Sequence, residues 1–200
     1  LILNGYLGNL FARNHPLSLS VSICFEQNYG YIEGDSATVA EFLATISAIS
    51  QVPLLQSVGV TGSMNQHGEI QPIGGVNEKI RGFYQFVKEQ GFPQGCGVMI
   101  PQTNQVNLML PEEIIQSVRE GKFNIYPIRR VEEGLELMTG MAVGEIGADG
   151  AYPEGSLFAL TMEKLTAFAE QNETVETPKR KKKPPKPKRG KMPPQASKGL

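Results

Sequence analysis

The 200-residue chain has no tryptophan, two cysteines and two histidines, and these shortages narrow what it can do. His15 precedes a proline and His67 sits in the turn-like run NQHG, neither at a ligand spacing, and no HExxH or CxxC occurs. A metal site is therefore not expected. No GxxxxGK followed by Ser or Thr is present, which excludes a P-loop nucleotide site in this stretch. No run of eighteen apolar residues occurs, so no membrane-spanning helix is expected, and the start lacks a signal-peptide pattern. Cys24 and Cys96 lie in apolar stretches. They read as buried free thiols, in keeping with a cytoplasmic location.

Charge is nearly balanced in total, at −1, but not along the chain. Residues 178–200 carry ten Lys/Arg and no acid, which leaves a charge of −11 on residues 1–177. The segment PKRKKKPPKPKRGKMPPQASKGL has six prolines and almost nothing to bury. It is expected to form a disordered basic tail over 177–200. Such a tail attracts nucleic acid, anionic lipid or the acidic body, or merely solubilises the chain. With no interleaved aromatics, contact with nucleic acid would run through phosphates and weaken with salt.

The remaining residues alternate between strand and helix patterns, the signature of an α/β (α+β) domain over 1–176. LSLSVSICFEQ at 17–27 alternates Leu17, Leu19, Val21, Ile23 and Phe25 with small or polar residues, the pattern of a half-buried strand. SATVAEFLATISAIS places Val39, Phe42, Leu43, Ile46 and Ile49 at helical spacing, with Ser36 near the first turn. SVGVTGSMNQHGEIQPIGG reads as a hairpin, with Val58 and Val60 on one arm and Ile70 and Ile73 on the other. VNEKIRGFYQFVKEQG reads as a helix striped by Val76, Ile80, Phe83 and Val87 and ended by Gly91. Further on, CGVMIP and FNIYPI read as strands, and helices are expected in PEEIIQSVREG, RRVEEGLELMTG and EGSLFALTMEKLTAFAEQ.

With histidine unavailable, a serine hydrolase would need another base, and lysine can serve if it is neutral. Burial in apolar surroundings lowers its pKa toward that state. Lys79 lies beside the 76/80/83 stripe of its helix, either as such a buried base or as a surface charge whose stem packs while its ammonium reaches water. Ser36 follows Gly34 and Asp35 at a loop–helix junction. There it is either an ordinary N-cap or a nucleophile beside backbone N–H groups able to hold an oxyanion.

The run from YIEGDSATVAEFL through VGVTGSMNQHGEIQPIGGVNEKIRGFY resembles the proteolytic domain of the Lon family of ATP-dependent proteases, most closely the B-type and Lon-like branches that carry EGDSA. The serine motif, the helix, the TG strand, the double glycine and the EK that opens a helix come in the family's order. Serine and lysine stand 43 positions apart, the family's spacing. The likeness extends over roughly residues 3–171 and includes DGAYPEGSL. It implies a serine endopeptidase that cleaves unfolded polypeptides, with Ser36 as nucleophile and Lys79 as general base. Thr61 would hold the lysine amine, Glu33 would support the pair, and the Ser36 amide would contribute to the oxyanion hole. Gly74 and Gly75 would let the backbone turn into the lysine helix. The resemblance further implies a homo-hexamer and an ATPase module, with ATP and magnesium, outside this chain; no cofactor is implied within it.

Two departures from the family stand out. The strand before the nucleophile carries Ser22 and Cys24 where some branches place histidines, and only 35 residues precede the serine. A Lon proteolytic-domain fold lacking its N-terminal part is therefore expected. The alternative functions are a non-proteolytic Lon-fold scaffold or nucleic-acid-binding domain, and an ATP-independent peptidase.

Overall fold

The computed structural model describes residues 2–12, 17, 19–25 and 34–176. Glu33, His15 and the basic segment 177–200 lie outside the described residues.

At the centre is a parallel sheet of three strands in the order β1 (Val58–Val60), β4 (Gly97–Pro101), β5 (Asn124–Ile128). Its register sets Val58 beside Gly97, and Gly97 beside Asn124. Parallel neighbours need crossovers. Helix α3 (Val76–Glu89) lies on the path from β1 to β4, and α4 (Glu112–Arg119), after a 3-10 turn at Gln102–Asn107, on the path from β4 to β5. A two-stranded antiparallel ribbon, β2 (Ser63–Met64) with β3 (Ile70–Gln71), stands between β1 and α3.

All five residues of β4 are buried, the state of a central parallel strand covered on both faces. Its side chains alternate between two cores. Met99 joins one built from helices α2 (Thr38–Ser50), α5 (Val131–Thr139), α6 (Leu157–Glu176) and α1 (Ile2–Phe11). Val98 and Ile100 join the other, with Val76, Ile80, Tyr84 and Val87 of α3, Ile114 of α4, and Phe123. The result is helices, sheet, helices, as the alternating pattern predicts. Tyr84 closes the second core with its ring edge-on to Phe123 and its hydroxyl 2.8 Å from Ser117 Oγ, so neither buried hydroxyl lacks a partner.

Three local expectations are revised. The strand predicted over 17–27 is not formed: described residues 17 and 19–25 belong to no strand, and Val21, Ile23 and Phe25 are 43–47 % exposed. Alternation marks a strand only where a neighbouring strand takes its N–H and C=O groups, and none does so among the described residues. Cys24, expected to be buried, is exposed for the same reason, whereas Cys96 is buried. The hairpin is also shorter than predicted. Its first arm divides at Thr61–Gly62, where the chain leaves the parallel sheet (β1) and enters the ribbon (β2). Helix α1 was not anticipated, yet Leu3, Tyr6, Leu7, Leu10 and Phe11 form an apolar stripe at helical spacing and pack into the first core.

The sheet leaves no room at Gly97. A Cβ there would lie 2.2 Å from the Asn124 carbonyl oxygen, a backbone atom that cannot rotate away. Gly97→Ala is therefore expected to force β4 and β5 apart and to cost about 3 kcal/mol, measured as a lower urea midpoint with an unchanged m-value.

Candidate active site

Ser36 sits in the turn that leads into α2, ahead of the helix itself. The N-cap is Ala37, with no side-chain capping bond, so Ser36 is not a helix cap. The turn is held from two sides. Gly62 N–H donates to the Ser36 carbonyl at 2.8 Å, and Val39 N–H donates to the Gly62 carbonyl at 3.2 Å. Within the turn, Thr38 Oγ1 donates to the Asp35 carbonyl at 2.6 Å. The place where the chain passes from β1 to β2 is thus also the place that anchors the serine.

Lys79 lies one turn into α3. Gly75 begins that helix with φ +68°, a left-handed conformation that glycine adopts without steric cost. The lysine Nζ donates to Ser36 Oγ at 2.7 Å and lies 3.2 Å from Thr61 Oγ1. Thr61 is buried, and its own N–H donates to the Met99 carbonyl at 3.1 Å, which ties the threonine to the central strand. Three separate stretches of chain therefore converge at one amine. Burial pushes the Lys79 pKa below the ordinary lysine value, and the Asp35 carboxylate opposes that shift.

A groove of about 470 Å³ opens beside these groups. Ser36, Thr61 and Lys79 line one part of it, and Gly59, Val60, Gly82, Phe83, Phe86 and Val98 give the rest an apolar wall. Phe83 was expected only as part of the helix's apolar stripe, and Gly82 and Phe86 were not singled out in sequence. Gly82, Phe83 and Phe86 stand three, four and seven residues after Lys79, so helical spacing alone would have placed them on its face.

Of the residues nominated from sequence, the fold brings together Ser36, Lys79 and Thr61, while Glu33 lies outside the described residues. His67 is in the exposed β2–β3 turn, where its N–H donates to Asn65 Oδ1. Among the described residues, no group of three His, Cys, Asp or Glu could hold a metal ion. No helix among them is long and apolar enough to cross a membrane.

The model of the Lon protease (S16) C-terminal proteolytic domain matches residues 29–149. A Lon protease homolog of Escherichia coli strain K12 is 39 % identical over 138 residues, which is 69 % of this chain and 24 % of that protein. One from Haemophilus influenzae is 34 % identical over 170 residues, 85 % of this chain and 28 % of that protein. An archaeal Lon protease of Archaeoglobus fulgidus is 37 % identical over 119 residues, 60 % of this chain and 17 % of that protein. The chain thus spans about a quarter of the length of the first two relatives. Since the domain model accounts for well over half of its residues, the chain belongs to the Lon protease (S16) family.

Proposed function

We propose that this domain is a serine endopeptidase in which Ser36 is the nucleophile and Lys79 the general base. The observation that carries the proposal is the 2.7 Å contact between Lys79 Nζ and Ser36 Oγ at the edge of an apolar groove. Neutral Lys79 takes the Ser36 proton as Oγ attacks the peptide carbonyl carbon, forming a tetrahedral oxyanion. The N–H groups of Ser36 and Ala37, which no described residue accepts, stand where helix α2 begins and suit that oxyanion. As the C–N bond breaks, the protonated lysine returns the proton to the leaving amine. Water, deprotonated by the same amine, then attacks the acyl carbon, and the lysine returns that proton to Ser36 Oγ as the ester C–O bond breaks, which frees the acid and restores the serine and the neutral amine. Thr61, fixed to β4, keeps the amine directed at the serine through these transfers.

The substrates are unfolded polypeptides, delivered by an ATPase module outside this chain that uses ATP and magnesium. The assembly is a homo-hexamer whose closure keeps the lysine dry. The segment 177–200, outside the described residues, adds a phosphate-directed contact to nucleic acid.

Degradation of an unfolded model protein by the intact protein, with and without ATP, tests the central reading. ATP-dependent loss is expected for the wild type. Ser36→Ala and Lys79→Met are each expected to lower cleavage by about 10,000-fold or more while leaving the far-UV spectrum unchanged. Residual cleavage in Ser36→Ala above that of a buffer control would reject the assignment.

The base must be uncharged, so kcat/KM should rise with pH as Lys79 loses its proton. Because burial lowers that pKa, the rise should be centred below the ordinary lysine value of 10.5. A rise centred at or above that value would mean that some other group limits the reaction.

Deleting residues 178–200 should leave peptide cleavage unchanged and weaken DNA binding measured at low salt. Equal DNA binding by the shortened chain would remove the tail from consideration.

A further inference from the structure

The carboxylate nearest in sequence to Ser36 is tied down on the side of the ribbon. Ser63, the first residue of β2, is only 2 % exposed, and its Oγ donates to Asp35 Oδ2 at 2.7 Å. Gln71, the residue paired with Ser63 across the ribbon, brings its Oε1 to 3.4 Å from the same hydroxyl. The rest of Asp35 is exposed in the turn, where an untethered side chain would rotate freely. Its backbone is held through the Thr38 hydroxyl and N–H, but its carboxylate is held by Ser63.

That carboxylate matters because of what it faces. It is the charged group that acts on Lys79, in the direction of keeping the lysine protonated. The other ionisable groups near it on the packed helices are Glu41 of α2 and Glu78 and Arg81 of α3. The strands β1 and β4 carry no ionisable side chain, and Glu33 lies outside the described residues. Yet among the described ion pairs none joins Asp35 to Lys79. A lysine in direct contact with a carboxylate is a poor base, because Coulomb attraction and the charge-assisted hydrogen bond favour its protonated form and work against the effect of burial.

We propose that Ser63 is a positioning residue of the Ser36–Lys79 pair, whose hydroxyl fastens the Asp35 carboxylate to the β2–β3 ribbon and keeps it out of an ion pair with Lys79. The inference rests on the dyad reading of the site. It assigns to a buried serine outside the dyad the task of keeping the negative charge of Asp35, the residue before Ser36, apart from Lys79. A merely structural Ser63, bracing the ribbon, would alter stability and activity without altering how Lys79 titrates.

The test follows Lys79 directly in the full chain, with lysine labelled at ¹³Cε and titrated by NMR. It compares wild type, Ser63→Ala, Ser63→Thr and the double variant Ser63→Ala/Asp35→Asn, alongside kcat/KM against pH on an unfolded fluorogenic polypeptide. With the hydroxyl gone, the freed carboxylate moves toward the ammonium. The Lys79 midpoint in Ser63→Ala should then rise by about one pH unit or more. The rise in kcat/KM should move to higher pH by the same amount. Activity at neutral pH should fall about tenfold and return as pH is raised. Ser63→Thr keeps the hydroxyl and should restore the wild-type midpoint. In the double variant no carboxylate remains to move, and the midpoint should lie at or below that of the wild type.

An unchanged Lys79 midpoint in Ser63→Ala would overturn the proposal, whatever happens to activity. So would an upward shift that persists in the double variant. If the wild type fails to cleave at any pH, the dyad reading falls, and the NMR midpoints still decide whether Ser63 holds Asp35 away from the lysine.

Discussion

A lysine amine can accept a proton only where water is too scarce to keep it charged, and such a place must be built around it from parts of the chain that are far apart. Here the parts are the turn before α2, the end of β1 and the first turn of α3. Parallel pairing of β1 with β4 brings Thr61 N–H to the Met99 carbonyl. The next residue, Gly62, then donates to the Ser36 carbonyl. Helix α3, seated on Val98 and Ile100 through its own apolar stripe, lowers Lys79 onto the same spot. Remove the β1–β4 pairing and all three lose their common reference.

The same arrangement sets opposing electrostatic terms against each other. Burial pushes the lysine toward its neutral form, and Asp35, next to Ser36 in the chain, pushes it back. The carboxylate cannot be far away, because it shares a turn with Ser36. It can, however, be held in a chosen direction, and the ribbon residue Ser63 stands where its oxygen points, with Gln71 beside the same hydroxyl. The two-stranded ribbon, which gives Met64 and Ile70 to the first core, thereby also bears on the chemistry of the amine.

Much of this was legible in the residues. The helical stripes of α2 and α3 and the uninterrupted apolar run of β4 reported the layered architecture. Serine and lysine motifs in the order and spacing of the Lon family marked Ser36, Lys79 and Thr61. What misled was periodicity taken by itself. Residues 19–25 alternate well and still form no strand among the described residues, because alternation describes a face and not a partner. Conversely, α1 carries a complete apolar stripe that two glycines, Gly5 and Gly8, made easy to pass over. The hairpin pattern ran through Thr61–Gly62 without a break, although there the chain changes from one sheet to another.

By itself the sequence determined which segments could bury a face, which residue types were available as nucleophile and base, and that histidine was not among the candidates. These follow from local chemistry and from spacing along one helix or strand. Whether Lys79 met Ser36 or stood apart as a surface charge, and whether Ser36 was a cap, were decided only by the tertiary structure. The physical reason is that both questions depend on distance and dielectric between residues 43 positions apart. No local pattern encodes either quantity; they come from the register of β1 on β4 and from the packing of α3 against the sheet.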